Sequence, residues 1–345
     1  MNGAKEELKR AVLWETSEGN KVRCGLCNRR CVIDEGQLGR CLVRRNTGGV
    51  LYSLSYNKVC SANPDPIEKK PLFHFQPGTR SFSVATMGCN FRCEFCQNWQ
   101  ISQAAVETGR IDGQAIAPEQ LVAAAVRAQC SSFAYTYTEP TVFMELCADC
   151  GRAAKEKGLA NVFVSNGYMT REAIDFASEW LDGINVDLKA FSEDYYSRLC
   201  KARLQPVLDT IAYIARETKI WMEITTLLVP GQNDSDTELG QLADFIVTTA
   251  GADTPWHISR FYPQYKYQDS AATSAESLER AYEIGRSAGL RYVYLGNMPG
   301  AESESTFCYN CGRILIERVG YTIVANNVRD SKCPDCGTLV AGFEL

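Results

Sequence analysis

Histidine is nearly missing from this chain: there are two among 345 residues, His74 and His257. That scarcity excludes a metal centre built mainly on imidazole and leaves thiolate as the soft ligand in supply, which suits zinc or iron-sulfur clusters. Long apolar runs are missing as well, and nothing approaches the roughly 18 residues that a membrane span needs. Hydrophobic residues at 45% and charged ones at 22% are ordinary for a soluble globular protein. There is no basic block and the formal net charge is -5, which argues against a dedicated nucleic-acid surface. The first residues, MNGAKEELKRAVLW, lack the apolar core and cleavage site of an export signal, so a cytoplasmic protein is expected. Cysteine, by contrast, is plentiful. Sixteen of them in a reducing compartment do not form a disulfide framework; clustered thiols there bind metal.

The cysteines fall into an N-terminal group (Cys24, Cys27, Cys31, Cys41), a central trio (Cys89, Cys93, Cys96) and a C-terminal quartet (Cys308, Cys311, Cys333, Cys336), with Cys60, Cys130, Cys147, Cys150 and Cys200 left over. The quartet forms two C-x2-C knuckles, each followed by glycine, on either side of RILIERVGYTIVANN, whose alternation predicts a hairpin. Such an arrangement predicts a closed structural tetrathiolate site, with zinc the first occupant and rubredoxin-like iron the second. The N-terminal spacing, C-x2-C-x3-C-x9-C, is less regular and leaves three readings open: a second zinc, an auxiliary iron-sulfur cluster, or buried thiols. Zinc is carried forward as the expectation there. Cys147 and Cys150 stand three apart in a helical run, where core thiols are expected. His74, between phenylalanines in PLFHFQPG, reads as a packed core residue, and Lys69 and Lys70 as a solvated charge pair.

Short β-rich runs recur at 81–87, 132–140, 160–167, 183–191, 220–231, 256–261 and 291–297. Most are separated by amphipathic stretches such as PEQLVAAAVRAQ, TREAIDFASEWL and SAESLERAYEIGRSAGL. This alternation predicts an α/β fold with a parallel sheet closed partly into a barrel over 78–300, flanked by a Cys-rich module (1–77) and a zinc-ribbon-like tail (301–345). In barrels of this kind the working residues lie where strands end. Cys89, Thr138, Glu139, Ser165, Asn166, Asp187, Lys189, Asn233, Asp234 and His257 fall at those places.

The trio, CNFRCEFC, could hold zinc with a distant fourth ligand, but no partner knuckle is near. A [4Fe-4S] cubane normally takes four cysteines, so three leave one iron open, and an open position marks a catalytic metal. The spacing Cys89-x3-Cys93-x2-Cys96, with aromatic Phe95 before the last cysteine and a strand before the first, resembles the signature loop of the radical S-adenosylmethionine (radical SAM) enzymes. The resemblance implies a partial (β/α)6-type barrel and a [4Fe-4S] cluster whose open iron chelates SAM. It further implies one-electron cleavage of SAM to methionine and a 5'-deoxyadenosyl radical, hydrogen abstraction from substrate, and an electron donor such as flavodoxin or ferredoxin. On the same basis Glu139, in TYTEP, would accept from the SAM ammonium, and Ser165 and Asn166 would meet its ribose and carboxylate. Phe95 and His257 are assigned to the same cofactor site. Asp187 and Lys189, in NVDLK, and the VPGQN segment resemble rim segments of glycyl-radical activating enzymes such as pyruvate formate-lyase activase. Those activases carry an aspartate near a monovalent cation two residues before the Asn-Gly of the third strand; this chain has Val164 there.

A resemblance covering nearly the whole chain, carried by RCGLCNRRCVIDEGQLGRCLVRRN, DPIEKKPLFHFQPGT, GCNFRCEFCQNWQISQ and WHISRFYPQYK, is to the radical SAM member of the AmmeMemoRadiSam system. It implies AMMECR-type and Memo-type proteins as partners. The expected function is a radical SAM oxidoreductase acting like an activase on a protein partner. Radical modification or carbon-carbon bond formation on a small molecule is the alternative within the enzyme class, and an iron-sulfur electron-transfer or metal-carrier protein the rival outside it.

Overall fold

A computed structural model of the chain describes residues 8–298 and 302–345. All seven β-rich runs become strands: β1 (Arg80–Thr86), β2 (Ser132–Tyr135), β3 (Ala160–Ser165), β4 (Gly183–Asp187), β5 (Trp221–Leu228), β6 (Trp256–Arg260) and β7 (Val293–Gly296). They are parallel and lie side by side in chain order. The (β/α)6 type is therefore exceeded by one strand, and β7 pairs only with β6, so the sheet curls without closing. Beyond β1 the sheet continues with two antiparallel strands, Lys58–Pro66 and Gln114–Ala115. Thus the end of the stretch read as an N-terminal module is woven into the main sheet.

Helices α1 (Pro118–Arg127), α2 (Met144–Glu156), α3 (Arg171–Ser178), α4 (Gln205–Glu217), α5 (Asp236–Thr249) and α6 (Ala275–Ser287) fill the crossovers. Their starts are written in the sequence: Thr170, Ser235 and Ser274 accept from the backbone N–H of Ala173, Glu238 and Ser277, each cap contributing about 1 kcal/mol. Cys147 and Cys150 are buried in α2, as expected of core thiols. Among the described residues no helix is long and apolar enough to cross a membrane.

Register decides which side chains share the concave face, because residues opposite one another on parallel strands point the same way. Asn185 lies opposite Glu223, Asp187 and His257 opposite Thr225, Leu227 opposite Ser259, and Tyr294 opposite His257. The polar residues interrupting the apolar strands thus line one interior with two levels. Toward the strands' C-terminal ends it is open. Toward their N-terminal ends it is plugged by the PLFHF segment, whose Phe73 and His74 N–H groups donate to the Glu223 carboxylate at 2.9 and 2.8 Å.

The tail forms a three-stranded antiparallel sheet, Thr306–Phe307, Ile314–Val319 and Thr322–Asn326, so the alternating stretch is a hairpin. Buried Arg318 fastens it to the plug by donating to the Phe73 carbonyl (2.8 Å) and stacking over the Phe73 ring (4.4 Å). The N-terminal residues form two small antiparallel sheets, held to α2 by the fully buried Arg44–Glu145 pair at 2.5 Å.

Candidate functional site

At the open end lies a cleft of about 400 Å³. Its walls bring together parts of the chain more than 200 residues apart. Cys89, Cys93 and Cys96 come from the loop after β1, Glu139 from the loop after β2, Asn166 from the end of β3, Asp187 and Lys189 from β4 and its following loop, Thr225 from β5 and Ser259 from β6. Phe95 lines it too, buried and packed on Tyr195 with ring centroids 5.8 Å apart. Gathering at the strands' C-terminal ends follows from parallel topology, which sends every such loop to the same side.

Glu139 is 1% exposed and organises this wall. Its Oε1 accepts from Thr141 N (3.1 Å), Thr141 Oγ1 (2.5 Å) and Ser165 Oγ (2.9 Å), and its Oε2 from Asn166 N (2.8 Å). Burial pushes its carboxyl above the usual range although these donors pull it down. Each carboxylate oxygen offers about two lone-pair sites, and Oε2 accepts from Asn166 N alone, so it retains capacity for one further donor. Asn166 in turn donates to Asn90 Oδ1 at 2.7 Å. Lys189 Nζ pairs with Asp187 at 2.8 Å.

Two buried polar atoms of cleft-lining residues have no partner among the described residues: Asn185 Oδ1 and Thr225 Oγ1. A buried polar group left unpaired costs about 1–3 kcal/mol, so these atoms suit a polar ligand. The three thiols suit a cluster rather than a lone ion, for they do not all lie within 4.8 Å of one another as ligands of one ion would. Cys200, a leftover in the sequence, is near enough to push the Cys93 thiol up but is fully buried and does not line the cleft. The loop therefore presents three thiols and no fourth.

Several sequence expectations change. His257 is not at the cleft: it lies one level down, 3% exposed, with Nε2 on Glu223 Oε2 at 2.6 Å and Phe73 against its ring. Ser165 turns its hydroxyl to Glu139 and is not among the cleft-lining residues. Asn233 is a turn brace, donating to the Lys189 and Leu227 carbonyls at 2.6 and 2.9 Å. Lys70, taken as solvated, is 1% exposed beside Asp65 at 2.8 Å, and burial pulls its ammonium down to about 8 despite that partner. Its neighbour Lys69 lines the cleft, as does Tyr137, whose hydroxyl donates to Asp65. His74 is packed as expected: Nδ1 faces the Ala341 carbonyl at 2.7 Å and so carries the proton, and Nε2 accepts from Tyr294 Oη at 2.6 Å.

Residues missed by the sequence reading include Asn185 and Thr225, whose one signal is polarity inside an apolar run, and Tyr321, which reaches the cleft from the tail and carried no signal at all.

The C-terminal thiols do converge. All four sulfurs lie within 4.8 Å of one another, with Cys308–Cys336 at 3.6 Å and Cys311–Cys333 at 3.7 Å. A zinc tetrahedron with bonds of about 2.3 Å has an edge of about 3.8 Å, so the set fits that ion. The tight knuckles need glycine: Gly312 and Gly337 stand at φ 75° and 71°, a region that side chains with a Cβ rarely adopt, and their N–H groups reach back to the Cys308 and Cys333 carbonyls. Where a second zinc was expected, no three of Cys24, Cys27, Cys31 and Cys41 come that close.

A family model described as the Radical SAM superfamily matches residues 83–243, a span that begins in β1 and includes the trio. An uncharacterized protein of Methanocaldococcus jannaschii is 44% identical over 332 residues, which cover 96% of this chain and 98% of that one. The pyruvate formate-lyase-activating enzyme of Listeria monocytogenes is 27% identical over 183 residues, 50% of this chain and 71% of its own. In fold, a crystal structure of a radical SAM methyltransferase from Sphaerobacter thermophilus superposes with a TM-score of 0.50 at 19% identity, covering 65% of this chain and 68% of that one.

Proposed function

The chain belongs to the radical SAM superfamily, and on that premise we propose that its cleft holds a [4Fe-4S] cluster on Cys89, Cys93 and Cys96 and uses SAM to start radical chemistry on a protein-borne target, as an activase does. The observation that carries the reading is the placement of three thiols of one loop on the wall of a cleft whose floor presents unpartnered buried acceptors. Bound there, the cluster and SAM would supply one-electron radical chemistry for hydrogen abstraction, with the electron coming from a donor of the flavodoxin or ferredoxin type. The chain's own residues bind, orient and exclude water. Glu139 Oε2 accepts from the SAM ammonium, Asn166 and Lys189 hold its polar groups, and Asn185 and Thr225 supply acceptors on the floor.

Cleft size favours a protein target. About 400 Å³ is near the lower end of the roughly 300–1,000 Å³ that enclose one drug-sized ligand. SAM would fill most of it, leaving the target hydrogen to be presented at the mouth on a projecting loop. AMMECR-type or Memo-type proteins are the partners we would offer first. The reading is tested by incubating reduced protein anaerobically with SAM and deuterated candidate partners. 5'-Deoxyadenosine carrying deuterium supports it; no 5'-deoxyadenosine in any mixture refutes radical SAM chemistry here.

We expect Glu139→Ala to weaken SAM binding by about 1–3 kcal/mol, the cost of removing a hydrogen-bond partner of charged or buried groups, with iron content unchanged. Calorimetry showing wild-type affinity would reduce Glu139 to a turn brace.

We read 1–77, 78–300 and 301–345 as module, barrel and tail, and zinc as the occupant of Cys308, Cys311, Cys333 and Cys336. Its role is then to fold the tail, since a small metal-ligated hairpin has little core of its own. Cys333→Ser is expected to remove about one zinc per chain and lower thermal stability, while SAM cleavage per folded molecule is retained. Loss of iron and sulfide in place of zinc would turn the quartet into a cluster site.

A further inference from the structure

Cys24, Cys27, Cys31 and Cys41 surround one cavity, which Arg44 and Asn90 also line. We propose that these four cysteines hold a second [4Fe-4S] cluster, immediately beside the trio. The zinc expected from spacing requires sulfurs at the edge length of a tetrahedron, as the C-terminal quartet has them. Here no three sulfurs fall within 4.8 Å of each other. Cys89, Cys93 and Cys96, where the family uses a cubane, likewise do not all lie within 4.8 Å of one another. A cubane is larger than an ion, so its thiolates must stand further apart.

Two further observations point to an anionic, sulfur-rich occupant. Arg44 is 2% exposed; one nitrogen, Nη2, bonds Glu145 and the Val12 carbonyl, yet its Nε and Nη1 are buried without a partner. An unsatisfied guanidinium edge inside a cysteine-lined cavity is costly unless something negative fills the space. Cys31 Sγ already accepts the Arg40 N–H at 3.5 Å, the type of amide-to-sulfur bond that tunes iron-sulfur centres. With four cysteines the cluster would have no open iron, so it would neither bind SAM nor act as a Lewis acid; its chemistry would be electron transfer alone.

Its position next to the catalytic loop follows from Asn90. That residue directly follows Cys89, is completely buried, lines the N-terminal cavity, and has an unpartnered Nδ2. Arg29, two residues after Cys27, donates from Nε to the Asn90 carbonyl at 3.2 Å, and Arg92 Nη1 donates to the Cys89 carbonyl at 2.6 Å. Asn90 thus joins the N-terminal cavity to the loop that carries the trio.

The proposal does not depend on the trio's assignment, and the test keeps them apart. Full-length protein reconstituted anaerobically with iron and sulfide should carry about eight iron per chain, two cubanes' worth. The Cys89→Ala/Cys93→Ala/Cys96→Ala variant should keep about four, with Mössbauer and EPR signals that do not respond to SAM. Cys27→Ala/Cys31→Ala should also keep about four, with the SAM response intact. If wild-type iron is about four and all of it disappears with the trio, the inference is overturned while the proposed function stands, whether zinc or nothing occupies the N-terminal thiols. If the trio variant keeps its iron but wild-type protein shows no SAM-responsive signal, the proposed function falls and this inference stands.

Discussion

Cys93→Ala is expected to reduce SAM cleavage to the uncatalysed background, and Cys89→Ala and Cys96→Ala to do the same. Each removes one of three ligands at a centre with no spare protein donor, so the cluster is lost rather than weakened. The readout is twofold: 5'-deoxyadenosine by chromatography, and disappearance of the SAM-sensitive low-temperature EPR signal of the reduced protein. Cys200→Ala is the control. Its thiol raises that of Cys93 but does not line the cleft, so iron, spectrum and turnover should persist in the folded variant. If Cys200→Ala bleaches the cluster as completely as Cys93→Ala does, the centre has four protein ligands and no open iron, and the proposed chemistry is excluded.

The largest effect on stability is expected at Glu223. Its carboxylate, fully buried, accepts from Phe73 N, His74 N, Trp221 Nε1 and His257 Nε2. Glu223→Ala leaves three buried donors and the half-buried Trp221 Nε1 unpaired and detaches the plug on which Arg318 anchors the tail. Breaking a buried, hydrogen-bonded charged group costs about 3–5 kcal/mol. In a chain of this size that lowers the thermal midpoint by roughly 5–10 °C. Protease cleavage should appear first in the PLFHF segment and the tail. A midpoint within about 1 °C of wild type would mean that the plug is held by apolar packing, and that Glu223 is a satisfied but dispensable acceptor.

How much of this was legible beforehand depends on the range of the interaction involved. The seven strands and the helix starts at Pro118, Thr170 and Ser274 could be read because propensity, caps and apolar periodicity are local, and every local cue agreed with the fold. The trio was legible for a related reason, its ligands being within one eight-residue loop. The C-terminal knuckles were too, since glycine marks each turn. Assignments made one residue at a time did less well. Ser165 and His257 sit at strand ends as active-site residues do, but register and plug direct Ser165 to Glu139 and His257 to Glu223. Lys70 looked like any surface lysine until Asp65, on the antiparallel strand before it, closed over it.

The sequence by itself determined the thiol inventory, the alternating α/β order and the gathering of three thiols in one short loop, because each is fixed by spacing along a few residues. Only the tertiary structure decided how far apart the sulfurs stand. Zinc was the expectation for both sets of four cysteines, but the C-terminal set closes to the edge of a zinc tetrahedron and the N-terminal set does not. The reason is physical. At the C-terminus both knuckles sit on one short sheet whose turns curl inward at Gly312 and Gly337. At the N-terminus the ligands are spread over the strand Val22–Cys24, the loops beyond it and the barrel contact at Met169, and packing against α2 through Arg44 and Glu145 holds that cavity open.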